Sequence, residues 1–330
     1  MKKEEFYYKS ADGKTEIHAV KWLPETDPIA ILQIAHGVTE YIERYENLAK
    51  YFTEKGFIVC GNDHIGHGKS IAKEAKPMYF GPKGSWNFAV KDINECQKII
   101  SSEYSQLPYF MLGFSLGSFL LRTYLIDYDT NIDMAIIMGT GTVPKMQIKL
   151  AQMIVNNEAK KVGEDNTSPL IQKLTFETYN KSFEPNRTKY DWLCSNNESF
   201  ISKNGVLGGD IIKWPNLDEY ISDPMRGEDF SAGLFRELLE GMDYTNTDSN
   251  IKKMNKDIPI LFMSGDKDPV GNQSKGVIQA YNKFKKFGIK SVDIKLYKDL
   301  RHDILHEKCK DDIYNDIYNF LAKKLEKNAK

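Results

Sequence analysis

The chain has 330 residues with 45 lysines and arginines against 46 aspartates and glutamates, a net charge of −1, and that length exceeds what one compact core usually fills, so a single domain carrying a sizeable insertion is expected. The interspersed, balanced charge argues against a nucleic-acid surface, and no run approaches the ~20 apolar residues of a membrane-spanning helix. Four scattered cysteines, Cys60, Cys96, Cys194 and Cys309, show neither CxxC nor metal-ligand spacing, and the opening MKKEEFYY has no apolar core of a secretory signal, so free thiols in a reducing cytoplasm are expected.

In chain order, Glu5–Lys9 and Thr15–Trp22 read as two short strands joined at Ala11-Asp12-Gly13, a hairpin signal. Ala30–Ala35 is a third, apolar strand that stops at His36-Gly37-Val38-Thr39-Glu40. Helical spacing of Leu48, Tyr51 and Phe52 ends before Gly56, and Phe57–Cys60 is a fourth strand running into the Gly/His loop from Asp63 to Ser70. Trp86, Val90, Ile93, Gln97 and Ile100 then mark one helix face. Strands alternating with helices in this way predict a parallel sheet covered on both sides.

Tyr109–Leu112 is another buried strand, and Leu116, Phe119, Leu120 and Tyr124 have helix spacing directly after it. The chain must therefore reverse at Gly113-Phe114-Ser115-Leu116-Gly117, a Gly-x-Ser-x-Gly turn that exposes a serine hydroxyl between strand and helix. After the strand Asp133–Met138 the strand pattern breaks from about Val143 to Lys256. That stretch carries helical stripes, Met146/Leu150/Met153/Ile154 and Leu234/Phe235/Leu238/Leu239/Met242, the second with Ser231 as N-cap, and loop-like segments with Trp192, Gly205, Gly208, Gly209 and Trp214. Residues 143–256 thus read as a mainly helical insertion, between core segments 1–142 and 257–330, whose apolar stripes either line a pocket or pack the insertion onto the core. The core pattern resumes with the strand Pro259–Ser264, a helix with Val277, Tyr281 and Phe284, the strand Val292–Tyr297, and a final helix with Ile313, Ile317, Phe320, Leu321 and Leu325.

A serine hydroxyl attacks an ester at neutral pH only with a positioned base, and that base needs a group to orient it. The strand ends after Ser115 offer both, in the order serine, acid, histidine expected of a nucleophile elbow on such a sheet. Pro259–Ser264 leads to Asp266 and Asp268, of which the Asp-Pro-Val step after a tight turn favours Asp268. Val292–Tyr297 leads to His302, with His306 one turn later expected on the surface of the C-terminal helix. Oxyanion donors are expected at the backbone N–H of Leu116, next to the nucleophile, and of Val38, after the third strand. His64 and His67 have Asp63 as their one nearby third ligand, which makes a poor metal site.

The combination of His36-Gly37-x-x-Glu40 with Arg44-Tyr45, Asp63-His64-x-Gly66-His67-Gly68-x-Ser70, Gly113-x-Ser115-x-Gly117, Gly265-x-x-Asp268 and His302 resembles the monoacylglycerol lipase and lysophospholipase family of serine α/β-hydrolases over nearly the whole chain. In the insertion, Arg187-Thr188-x-Tyr190-Asp191-Trp192-Leu193 and Asp223-Pro224 resemble bacterial members, while Phe114, Ser118 and the stretch Lys203–Pro215 depart from the pattern. The resemblance implies an α/β-hydrolase fold with a helical cap, a triad of Ser115, Asp268 and His302, and oxyanion donors at Val38 and Leu116. It also implies a small-molecule ester or lipid with one acyl chain as substrate, held by cap residues, with no metal, organic cofactor, nucleic acid or integral membrane segment; the oligomeric state stays open. A peptidase or amidase of the same architecture would instead need a cap acid or carbonyl to hold a substrate amine, for which Glu177, Glu184 and Asp191 are available, and a ligand-binding protein without catalysis is the remaining alternative.

Overall fold

The computed structural model describes residues 1–128, 132–186, 188–195, 217–227 and 229–328, so Arg187, the stretch Lys203–Pro215 and the glycines and tryptophan within it lie outside the described residues. The strands are β1 (Lys2–Lys9), β2 (Glu16–Leu23), β3 (Ala30–Ala35), β4 (Phe57–Asn62), β5 (Tyr109–Phe114), β6 (Met134–Met138), β7 (Ile260–Gly265) and β8 (Val292–Tyr297). The helices are α1 (Glu46–Thr53), α2 (Trp86–Glu103), α3 (Leu116–Asp127), α4 (Lys145–Val162), α5 (Pro169–Gln172), α6 (Thr178–Asn180), α7 (Leu217–Ser222), α8 (Ala232–Asn246), α9 (Asp248–Ile251), α10 (Lys275–Lys286) and α11 (Lys310–Asn328).

One eight-stranded sheet runs in the order β1-β2-β4-β3-β5-β6-β7-β8, antiparallel at β1–β2 and β2–β4 and parallel from β4 to β8. Every residue of β3, β4, β5, β6 and β7 is buried, which is what a parallel sheet covered on two faces requires and why these segments read as continuous apolar runs. One core unites the faces of α2, α3 and α10, through residues such as Ile93, Phe119, Leu120 and Phe284. The other holds Leu48 and Phe52 of α1 with Ile313, Ile317 and Leu321 of α11. This is the α/β-hydrolase fold.

Strands β6 and β7 are direct neighbours, with Ala135 opposite Ile260, although α4 to α9 come between them in sequence. Helix α8 starts at Ser231, whose hydroxyl accepts from the Leu234 N–H at 3.1 Å, and it packs on α4, α3 and α2. Its buried Glu237 accepts hydrogen bonds from the Trp86 N–H at 2.9 Å and the Gly84 N–H at 3.1 Å, capping α2 from outside, and takes a third from Arg236 at 3.1 Å. Gly241 allows the contact, since a Cβ there would lie 2.2 Å from the Trp86 ring.

The stripe expected to bury on α4 faces the other way. Met146 is 82% exposed, Leu150 56% and Met153 58%, while Ile148, Val155 and Ala159 form the buried face. The α8 stripe does pack inward, with Leu234 and Leu239 in the core and Phe235, Leu238 and Met242 against it.

Candidate active site

The Gly-x-Ser-x-Gly turn joins β5 to α3 with Ser115 at φ 51° and ψ −118°, a strained conformation for a residue with a side chain. The flanking glycines are needed for close approach. A Cβ on Gly113 would meet the Gly117 carbonyl oxygen at 2.4 Å, and one on Gly117 would meet the Ala35 carbonyl oxygen at 2.0 Å. The Ser115 N–H donates to Met138 O at 3.0 Å, which pins the turn to β6. Leu116 opens α3, so its N–H has no intrahelical acceptor.

His302 sits beyond β8 with Nε2 2.9 Å from Ser115 Oγ and Nδ1 2.9 Å from Asp268 Oδ1. Asp268 is fully buried, and its carboxylate also accepts from the Val270 N–H at 2.8 Å and Ser264 Oγ at 3.2 Å. Asp266 does different work, accepting from the Asp299 N–H at 2.8 Å and so ordering the turn after β8. Burial opposes the imidazolium of His302, but Asp268 first, then Asp303 and Glu40, outweigh it and raise the pKa. The rings of Phe114 and Trp192 pack on the imidazole, with centroids at 4.9 Å and 5.2 Å.

Ser115, His302 and Val38 line one small cavity of about 20 Å³, together with Phe114, Phe176, Tyr190, Trp192, Tyr220, Glu40 and Asp303, room for about one water. A larger concavity of about 630 Å³ lies along α2 and α8 by Trp86, Glu240 and Tyr244. It holds no serine–histidine pair, so the smaller space is the candidate active site. Neither the α4 nor the α8 stripe lines that space, and nor do Glu177, Glu184 or Asp191; its apolar wall comes instead from Phe114, Phe176 and the segment around Trp192.

The loop bearing Val38 is braced from several sides. The Gly37 N–H donates to Glu40 Oε2 at 2.9 Å, and Tyr45 Oη donates to the same oxygen at 3.0 Å. Arg44 Nε donates to the other Glu40 oxygen at 3.3 Å, and its guanidinium stacks 4.8 Å over Tyr220 of α7. Thr39, at φ 63°, places its hydroxyl 2.6 Å from Tyr220 Oη. Beneath, the His64 N–H donates to His36 Nε2 at 2.9 Å, and His64 Nε2 lies 3.0 Å from His36 O. Burial presses His64 down to about 3 and His67 to about 4, so both are neutral braces at ordinary pH. Among the described residues no group of three or more potential ligands is set to hold a metal ion.

His306, expected on the surface of the last helix, is instead buried on a short 3₁₀ turn, with Nδ1 2.8 Å from Asp303 Oδ2. Sequence reasoning passed over Asp303 and the place of Trp192 beside His302. The local signal was an acid directly after the histidine; the tryptophan had none, because its position depends on backbone pairing between distant segments, Asp303 N–H to Leu193 O at 2.6 Å and His302 N–H to Trp192 O at 3.4 Å.

Among known proteins, a monoglyceride lipase homolog of Monkeypox virus is 30% identical over 142 residues, 42% of this chain and 49% of that protein. The human monoglyceride lipase is 32% identical over 108 residues, 33% of each chain. The chain thus aligns with half or less of the length of these relatives. Among solved structures, a thermostable carboxyl esterase from Bacillus coagulans superposes with a TM-score of 0.84 at 24% identity, covering 98% of this chain and 99% of the other, a likeness of fold. Among the described residues no helix is long and apolar enough to cross a membrane. The family model described as serine aminopeptidase, S33, matches residues 26–309, and by that match the chain belongs to this family of α/β-hydrolases.

Proposed function

We propose that the protein is a serine carboxylester hydrolase acting on lipid esters with a single acyl chain. The observation that carries this reading is the relay Ser115 Oγ, His302 Nε2/Nδ1 and Asp268 Oδ1, with both contacts at 2.9 Å, inside a cavity walled by aromatic rings. His302 takes the Ser115 proton as the hydroxyl attacks the ester carbonyl, and Asp268 holds the imidazole tautomer and balances its charge. The N–H groups of Val38 and Leu116 receive the developing oxyanion. Collapse releases the alcohol, protonated by His302, and water then hydrolyses the acyl-enzyme. Residues 143–256 act as the cap that supplies the substrate-binding wall. The names of the viral and human relatives support a monoacylglycerol-like substrate, and the free thiols of Cys60, Cys96 and Cys309 support a reducing, cytoplasmic setting.

The test is labelling with a fluorophosphonate, which traps an activated serine. The wild-type chain should label at Ser115, and Ser115→Ala should abolish labelling and lower ester turnover by ~10³-fold or more with the fold retained. Undiminished labelling and turnover in the variant would refute the assignment.

A further inference from the structure

The inserted segment touches the Val38 loop through a pair of buried hydroxyls, those of Thr39 and Tyr220. Val38 joins two peptide groups, and each is held by a different part of the chain. The carbonyl of the first, Gly37 O, accepts from His36 Nδ1 of the core at 2.8 Å. The carbonyl of the second, Val38 O, accepts from Thr39 Oγ1 at 2.5 Å. A hydroxyl carries one proton, so with that proton on Val38 O, Thr39 Oγ1 accepts from Tyr220 Oη, 2.6 Å away on α7. Thr39 is β-branched and sits at φ 63°, a conformation that persists only where the surroundings hold it. Tyr220 is itself held, with the guanidiniums of Arg44 and Arg226 at 4.8 Å and 4.9 Å from its ring and the Tyr190 ring edge-on at 5.5 Å. Val38, Thr39 and Tyr220 all line the cavity beside Ser115.

An oxyanion donor works only if its N–H is held within a few tenths of an ångström of the place where the charge develops. With both peptide planes fixed, the Val38 N–H has no freedom to swing, and the second plane owes its fixity to a chain of two hydroxyls that starts in the insertion. We infer that Tyr220 is a positioning residue for the oxyanion donor at Val38, acting through the Thr39 hydroxyl. The inserted segment would then contribute to the chemical step itself, in addition to walling the cavity. The inference rests on the ester-hydrolase reading above, with Val38 as a donor, and adds to it the residue that holds this donor in place.

The experiment uses Tyr220→Phe, which removes the hydroxyl and keeps the ring, and Thr39→Val, which removes the other hydroxyl at nearly the same volume. Losing an oxyanion donor outright costs ~10²–10³ in rate, and displacing one costs less. The donor is used only as charge develops on the ester oxygen, so each variant should lower kcat on a p-nitrophenyl ester by ~10-fold with KM unchanged. The inhibition constant of a trifluoromethyl ketone, which Ser115 would convert to a tetrahedral oxyanion, should rise by the same factor. The double variant should lose no more than either single one, because the two hydroxyls act in series, and Thr39→Ser should lose less than Thr39→Val. Fluorophosphonate labelling taken to completion counts the competent sites, so that kcat is read per site and partial unfolding divides out. An unchanged kcat in Tyr220→Phe overturns the inference. So does a rise in KM alone, which would make the hydroxyl a substrate contact, and so do losses that multiply in the double variant. Labelling of the wild-type chain separates the two levels: labelling at Ser115 with kcat unmoved by Tyr220→Phe removes this inference alone, and no labelling removes the hydrolase reading beneath it.

Discussion

His302 is surrounded by more negative charge than a triad demands. Asp268 orients it, but Asp303 and Glu40 also favour its protonated form and help to overcome the burial that opposes it. In the proposed mechanism the neutral imidazole is the working base, so activity is lost as pH falls through the His302 pKa, and raising that pKa moves the acid limb of the rate profile to higher pH. The kcat/KM profile of the wild-type enzyme should therefore show an acid limb above the ordinary imidazole value of ~6.5. Glu40→Gln should move that limb to lower pH, because removing a nearby anion destabilises the imidazolium. An unmoved limb, whatever the change in maximal rate, would show that Glu40 acts on the Val38 loop only. At this scale the sequence was informative where chemistry fixes position. Ser115, Asp268 and His302 each follow a strand, and strands were legible. Glu40 and Asp303 stand next to motif residues in the sequence, but that their charge reaches His302 depends on how the segments pack.

Among the elements, α8 is fastened to α2 by a buried carboxylate. Glu237 serves the first turn of α2 and the Arg236 guanidinium together, so Glu237→Ala leaves buried backbone donors unpaired and takes from Arg236 one of its two carboxylate partners, Glu164 being the other. The expected cost is about 3 kcal/mol in denaturant unfolding, with Glu237→Gln costing less because an amide oxygen still accepts from the backbone. A loss below ~0.5 kcal/mol for the alanine variant would mean that water replaces the carboxylate there. Helix α4 shows why helix faces were harder to read than strands. It carries two apolar stripes, Ile148/Val155/Ala159 and Met146/Leu150/Met153, and periodicity alone does not say which one faces in. The packing partner α8 decides, and α8 lies far along the chain. The strands β3 to β7 posed no such choice, because both of their faces are buried.

For the molecule as a whole, the proposed substrate class has a measurable signature. The cavity beside Ser115 holds about 20 Å³, so an acyl chain must displace part of its wall and is repaid by contact with apolar surface. Each methylene buried contributes ~0.8 kcal/mol, so kcat/KM on p-nitrophenyl esters should climb several-fold per carbon from acetyl to a medium-length chain and then fall once the space is full. A profile that is highest at acetyl and declines steadily would count against a lipid ester, and faster cleavage of aminoacyl amides would favour the peptidase alternative. The route of the chain also bears on how such a preference is acquired. Because β6 and β7 pair directly, everything between them is a detour that leaves the sheet and returns to the adjacent position, and the entropy of closing a detour grows only slowly with its length. Ser115, Asp268 and His302 lie outside it, and the attachments that tie it to the core include Glu237 to α2, Tyr220 to Thr39, and the Trp192 and Leu193 carbonyls to the His302 segment. On the proposed reading, in which residues 143–256 supply much of the substrate-binding wall, change between β6 and β7 alters what is chosen while Ser115, Asp268 and His302 pass on unchanged.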